Sequence, residues 1–321
     1  MQFNTFPFKK FFSGSYAFLL KLCIFLFALS YIIYQLKSKD VLIEDIYNYV
    51  LPYVSSLLYI SFFLVPVNWG LEAWKWKFLA GKIEKLSFVR AIEGTLTGLT
   101  LGIVTPFSLG EYLGRVLQAD STARARLIGA VFFSKVIQFF VTLFYGSFAV
   151  IYFLKNGLHY SYWIYCGFGL VVINSAFVLL LFYPALFYEL IKKVRVISFL
   201  QSYFKILKTY SKKDVLLVVA VSFLRYFIFS LQFVLVLTTF RVSYDKLLLF
   251  YSTWFVFLVK SVVPTFFEFG VREASAIYFF EIFNIHSSDV LFASISIWLM
   301  NIVLPAFVGL ILIFKIKLFA K

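Results

Sequence analysis

Apolar residues run along this chain in long, unbroken blocks separated by short basic segments. Six blocks are long enough to cross a bilayer, at about 15–36, 53–79, 127–154, 162–183, 214–240 and 289–315. A hydrocarbon core about 30 Å thick takes about 20 mostly apolar residues as helix. A spanning β-strand would instead alternate apolar and polar over about ten residues. The pattern predicts an all-α, polytopic integral membrane protein. The first block reads as a retained span, because Lys21 interrupts it and no small-residue cleavage site follows.

Two further apolar stretches, about 88–118 and 247–282, are broken by proline. Pro106 is followed by Gly110, and Pro264 by Gly270. The arm before Pro106 would rise about 22 Å at about 1.5 Å per residue, short of the core thickness. Each stretch is therefore predicted to be a re-entrant helical hairpin, with Pro106, Gly110, Pro264 and Gly270 at the tips. Irregular backbone at membrane depth is tolerated only where protein or a wet cavity covers it. The order span, span, hairpin, span occurs twice with opposite orientation. This predicts one membrane domain built of inverted repeats, about 1–158 and 159–321, a plan that recurs in transporters.

Composition agrees. The chain is 62% hydrophobic and 14% charged, against about 45–50% and about 25% in soluble domains. Its net charge of +15 raises the question of a nucleic-acid partner, but the placement of the cations answers it. With both termini cytoplasmic, twenty of the 30 Lys and Arg fall in inside segments and five in outside loops. This is the positive-inside bias, so no nucleic-acid partner is expected and a cell (plasma or inner) membrane location is. The basic segment 189–213 also suits anionic lipid, at about 1 kcal/mol per cation near the surface.

Cys23 and Cys166 lie in apolar runs and imply no disulfide framework. His159 and His286 show no metal-ligand spacing. There is no phosphate-binding glycine loop, zinc-protease motif or nucleophile elbow. No metal, cofactor, ATP coupling or catalytic residue is expected.

An ionisable residue at the centre of a membrane helix costs about 2.5–3.5 kcal/mol on insertion scales, so the intramembrane charges carry the information. Glu111 and Arg115 stand four apart with the acid first and can pair on one helix face. Gln118 extends that face. They suit either a polar floor for a lipid headgroup or an ion pair that caps the hairpin. After Pro264 come Glu268, Arg272 and Glu273, with Lys260 shortly before. A guanidinium there suits a bidentate phosphate contact, and the flanking Phe266, Phe267 and Phe269 with Lys260 favour that over a merely interfacial cluster. Polar stripes at helical spacing mark three spans: Asn68, Glu72 and Lys75; Lys135, Gln138 and Thr142; Ser222, Arg225 and Gln232. Each alone suits inter-helix bonding. Converging on two tips, they would make a buried polar cavity. Gly94, Gly98 and Gly102 form a small-residue face for close helix approach.

Taken in order, several of these pieces resemble a known family. They are Thr105-Pro106 through Gly110-Glu111 to Arg115; Ser134-Lys135-Val136-Ile137-Gln138; Arg225 and Gln232; and Pro264 with Gly270-Val271-Arg272-Glu273. The resemblance is to the transmembrane region of lysylphosphatidylglycerol synthases, also called the flippase-like domain family, and covers nearly the whole chain. Phe267-Glu268-Phe269 stands where the family is richer in glycine, and Lys135 where an Arg is common.

The resemblance implies a bilayer domain with re-entrant helices that moves aminoacylated or other lipids between leaflets. In full-length synthases an aminoacyl-transferase domain follows. None follows before Lys321 here, so translocation rather than enzymatic aminoacylation is expected. The substrate would be a phospholipid, aminoacylated or not, or another lipid-linked molecule. Arg115 and Arg272 would engage its phosphate, with Lys135 and Arg225 assisting. Glu111, Glu268 and Glu273 would balance those charges or attract a cationic headgroup. Gln138, Gln232 and Lys260 complete the candidate substrate-binding set. Membrane lipids are the expected partners; a partner enzyme of lipid or envelope synthesis and a homo-oligomer are compatible. The competing reading is a non-transporting scaffold or accessory subunit for such an enzyme, its charged pairs structural.

Overall fold

Helices form where the apolar blocks predict them. The computed structural model describes residues 55–103, 105, 108–117, 123–193, 201–242, 245–263, 271–285 and 287–315. The predicted first span and Pro106, Gln118, Pro264, Glu268 and Gly270 lie outside the described residues. In chain order the helices are α1 (Ser56–Ala80), α2 (Phe88–Ile103), α3 (Gly110–Val116), α4 (Arg124–Tyr152), α5 (Trp163–Phe182), α6 (Pro184–Lys193), α7 (Gln201–Phe204), α8 (Lys212–Thr239), α9 (Lys246–Val262), α10 (Val271–Ile282), α11 (Ser287–Trp298) and α12 (Leu304–Lys315). Among the described residues there is no strand.

Five helical stretches are long and apolar enough to span: Ser56–Ala80, Arg124–Gly157, Trp163–Phe182, Lys212–Thr239 and Asp289–Ile313. They coincide with five of the six predicted blocks. The protein is thus an all-α, multi-pass membrane protein. The last stretch is not one uniform helix. A π turn, Leu299–Val303, joins α11 to α12. Asn301 within it accepts from Asn68 Nδ2 at 3.2 Å through its side chain and from Trp69 Nε1 at 3.1 Å through its carbonyl. The resulting polar junction ties α12 to α1.

The spans sort by what they touch. α1 and α8 pack antiparallel. Ser55 at the start of α1 reaches Thr239 at the end of α8, at 3.2 Å. At the other end Tyr210 donates to Leu79 O at 3.2 Å, and Lys82 pairs with Asp214 at 3.0 Å. Asp214 also completes a capping box with Ser211 that starts α8. α5 buries one residue, Leu181, and turns Ile164, Phe168, Val171 and Val172 outward. A helix apolar on all sides and covered on almost none has lipid as its solvent.

α2 and α3 fold back on each other as an antiparallel hairpin with touching backbones. A Cβ at Gly114 would fall 2.3 Å from Gly98 Cα, and one at Gly110 would fall 2.1 Å from Leu101 O. Gly110 therefore serves close approach rather than a turn. The turn itself is closed by Thr105, whose hydroxyl accepts from Gly110 N at 2.7 Å and donates to Leu101 O at 2.8 Å. Ser108 in the turn adopts a positive φ of 52°.

α9 and α10 form a second packed pair, with the Phe255 ring 5.1 Å from that of Phe279, and further rings join the pair to α4, the π turn that follows it, and α8. Phe153 stacks on Phe279 at 5.4 Å, Tyr152 on Tyr251 at 4.2 Å, and Phe229 on Phe257 at 4.6 Å. The bases of the two pairs lie at opposite ends of α4. α3 ends just before α4 begins, whereas Tyr251 and Phe279 pack beside its C-terminal end.

Gly114→Val is expected to destabilise the protein by about 1–3 kcal/mol or more, since the added methyls meet backbone that cannot yield. Gly70→Ala is the control, because nothing lies within 4 Å of the added Cβ. Thermal unfolding in detergent should show a lower midpoint for the first variant and an unchanged or higher one for the second.

Candidate functional site

One face of α4 presents Lys135, Gln138, Phe139 and Thr142, spaced to lie on a single side of a helix. Arg225, Tyr226 and Phe229 of α8 face them, as do Phe257, Lys260 and Ser261 of α9. Ser108 and Tyr112 close one end of the space, and Val263 lies at its margin. Together they enclose a cavity of about 450 Å³, within the usual range of ligand pockets. Ser108 follows the first predicted tip and Val263 immediately precedes the second. The cavity therefore lies where the flanks of the two helix pairs come closest to α4 and α8.

Behind the cavity wall sits a buried ion cluster centred on Glu72 of α1. Its Oε1 accepts from Arg115 Nη2 of α3 at 2.8 Å. Its Oε2 lies at ion-pair distance from Lys75 Nζ (2.9 Å) and Arg225 Nε (3.3 Å). Glu111 Oε2 takes Arg115 Nη2 at 3.3 Å and Lys135 Nζ at 2.5 Å. Gln138 Oε1 accepts from Arg225 Nη1 at 3.1 Å and from Lys75 Nζ at 3.5 Å. The side chains of Lys75, Arg115 and Glu72 are at most 6% exposed, against 17% for Arg225 and 38% for Lys135. The cluster thus grades from a dry root toward the cavity.

Four cations share two carboxylates, an excess of two positive charges among these six residues. Aromatic faces take part of the load: Trp76 lies 6.0 Å from the Arg115 guanidinium and Trp69 5.6 Å from that of Arg225. Donors remain unused even so. Arg115 Nε and Nη1 and the Tyr226 hydroxyl are buried without a hydrogen-bond partner.

The predicted site residues divide. Glu111, Arg115, Lys135, Gln138 and Arg225 come together in the cluster, and Lys260 lines the cavity. Gln232 does not join them. Its Nε2 donates to Ser61 O at 2.9 Å and its carbonyl accepts from Ser61 Oγ at 3.3 Å, so it clamps α8 to α1. Arg272 and Glu273 bond each other and Ser294 of α11, with Arg272 Nε 3.1 Å from Ser294 Oγ. Both are buried, and neither lines the cavity. Sequence reasoning singled out no special role for Glu72 and Lys75. Their signal was present in the Asn68–Glu72–Lys75 stripe, but helical spacing alone cannot say which cations a carboxylate will meet across helices.

Glu72→Gln is expected to destabilise the fold by about 3–5 kcal/mol, because Lys75 and Arg225 lose their carboxylate and Arg115 loses one of its two while staying buried. Glu111→Gln should cost less, since Lys135 can turn to the cavity. Melting curves of the two variants against wild type in one detergent check the order.

Comparison with known proteins agrees with this architecture. No curated protein and no solved structure matches the chain. The family model described as the lysylphosphatidylglycerol synthase TM region matches residues 18–309. With nearly its whole length matched, this chain belongs to the lysylphosphatidylglycerol synthase transmembrane-region family.

Proposed function

We propose that this protein translocates lipid between leaflets, by letting a headgroup enter the cavity between the two helix pairs while the acyl chains stay in the bilayer. The observation that carries the reading is the cavity itself. A space bounded by the charged Lys135, Arg225 and Lys260 sits inside a bundle of predominantly apolar helices. Intramembrane charge of this kind marks a pathway more readily than a scaffold. Family membership links the chain to lipid modification or movement and supports the same reading.

On this proposal α2–α3 and α9–α10 are re-entrant hairpins of an inverted repeat, one from each side. α2 has 16 residues and rises about 24 Å at about 1.5 Å per residue, too little to cross. The ends joined by Lys82–Asp214 and by Tyr210–Leu79 are cytoplasmic, as are both termini, in a plasma or inner membrane. Lys135 and Arg225 are the first phosphate contacts, with Arg115 held behind them. Arg272 is the second hairpin's own anchor. No bond is made or broken, so the process is not enzymatic, and it runs passively or on an ion gradient.

Leaflet exchange of short-chain fluorescent phospholipid in proteoliposomes tests this. Wild type should accelerate exchange, and Lys135→Gln/Arg225→Gln should lower the rate at least about tenfold, equivalent to about 1.4 kcal/mol. The double variant exchanging as fast as wild type, at equal folded amounts, overturns the site assignment. No exchange by wild type, together with detergent-stable co-purification of a biosynthetic enzyme, moves the function to an accessory subunit.

A further inference from the structure

We infer that the cavity selects a headgroup with net negative charge, a phosphomonoester or phosphodiester left free of cationic substituents, and discriminates against aminoacylated headgroups; this rests on the translocation reading above. Two independent properties of the wall point there. The first is charge. Lys135 and Arg225 line the cavity, and no Asp or Glu does among the described residues. Among the described residues the carboxylates paired with them, Glu72 and Glu111, have side chains only 6% and 13% exposed. Those two acids are already outnumbered by Lys75, Arg115, Lys135 and Arg225, leaving Lys260 out of the count.

The second property is hydrogen-bond polarity. A phosphate oxygen can only accept, while the ammonium of an aminoacyl group can only donate. The wall is rich in donors and poor in acceptors. The Tyr226 hydroxyl is buried without a partner, as are Arg115 Nε and Nη1 just behind. The one side-chain amide oxygen on the described wall is already engaged. Gln138 Oε1 takes Arg225 and Lys75. An ammonium entering this space would meet excess positive charge. A phosphate would meet charge-assisted donors.

Native mass spectrometry of the full chain in detergent can read the preference, using phosphatidic acid, phosphatidylglycerol, lysyl-phosphatidylglycerol and phosphatidylcholine with identical acyl chains. Phosphatidic acid and phosphatidylglycerol should be retained at least about tenfold better than the lysyl form. Lys135→Gln and Arg225→Gln should each remove most of that preference, and Lys192→Gln, on exposed α6, should leave it. Ser261→Asp, a change at an exposed wall position that tests the idea without disturbing the ion cluster, should shift the preference toward the lysyl form. Inorganic pyrophosphate competing as well as phosphatidic acid would assign the site to free phosphate rather than a lipid headgroup, and so overturn the inference. Equal or better retention of the lysyl lipid overturns it too. Anion-selective retention without leaflet exchange supports this inference and overturns translocation. Exchange with no headgroup preference does the reverse.

Discussion

A single carboxylate, Glu72, holds three segments that the chain separates widely. It meets Lys75 on its own helix, Arg115 on α3 and Arg225 on α8. None of these charges is stable alone in an apolar interior, and each makes the others tolerable. The arrangement therefore works as a positional constraint more than as a source of net stability. The α2–α3 pair cannot slide along α1, nor α8 turn about its axis, without exposing an uncompensated ion to a dry environment.

Around that fixed point the two helix pairs are held by different means. In α2–α3 the backbones touch across glycines, and a hydroxyl, Thr105, closes the turn. In α9–α10 the packing is done by Phe and Tyr rings that reach across to α4 and α8. The first mode gives a thin, rigid wedge that depends on the absence of side chains. The second fills a broad interface and tolerates adjustment of rings. Lys135 and Arg225, the most exposed members of that cluster, are the ones that line the cavity.

Much of this was legible in the residue pattern, for reasons of solvent. Lipid forces unbroken apolar helices, so α1, α4, α5, α8 and the α11–α12 stretch stand out by length alone. The Gly94–Gly98–Gly102 face and the Glu111–Arg115 spacing are local periodicities, and the structure uses both at the α2–α3 contact. Other candidate residues lie away from the cavity for an equally physical reason. Gln232 and Arg272 look like substrate ligands because both are polar groups in apolar surroundings. That is also how a residue looks when it bonds a neighbouring helix, as Gln232 donates to Ser61 and Arg272 to Ser294.

What the sequence by itself determined was the solvent, the helical content, the spans and the supply of intramembrane charge, all set by composition and short-range spacing. What only the tertiary structure decided was which charges meet. Glu72 became the hub, Gln232 a clamp, and Lys135 with Arg225 the cavity wall, because those pairings join residues far apart in the chain across helices whose rotation and depth no local pattern encodes.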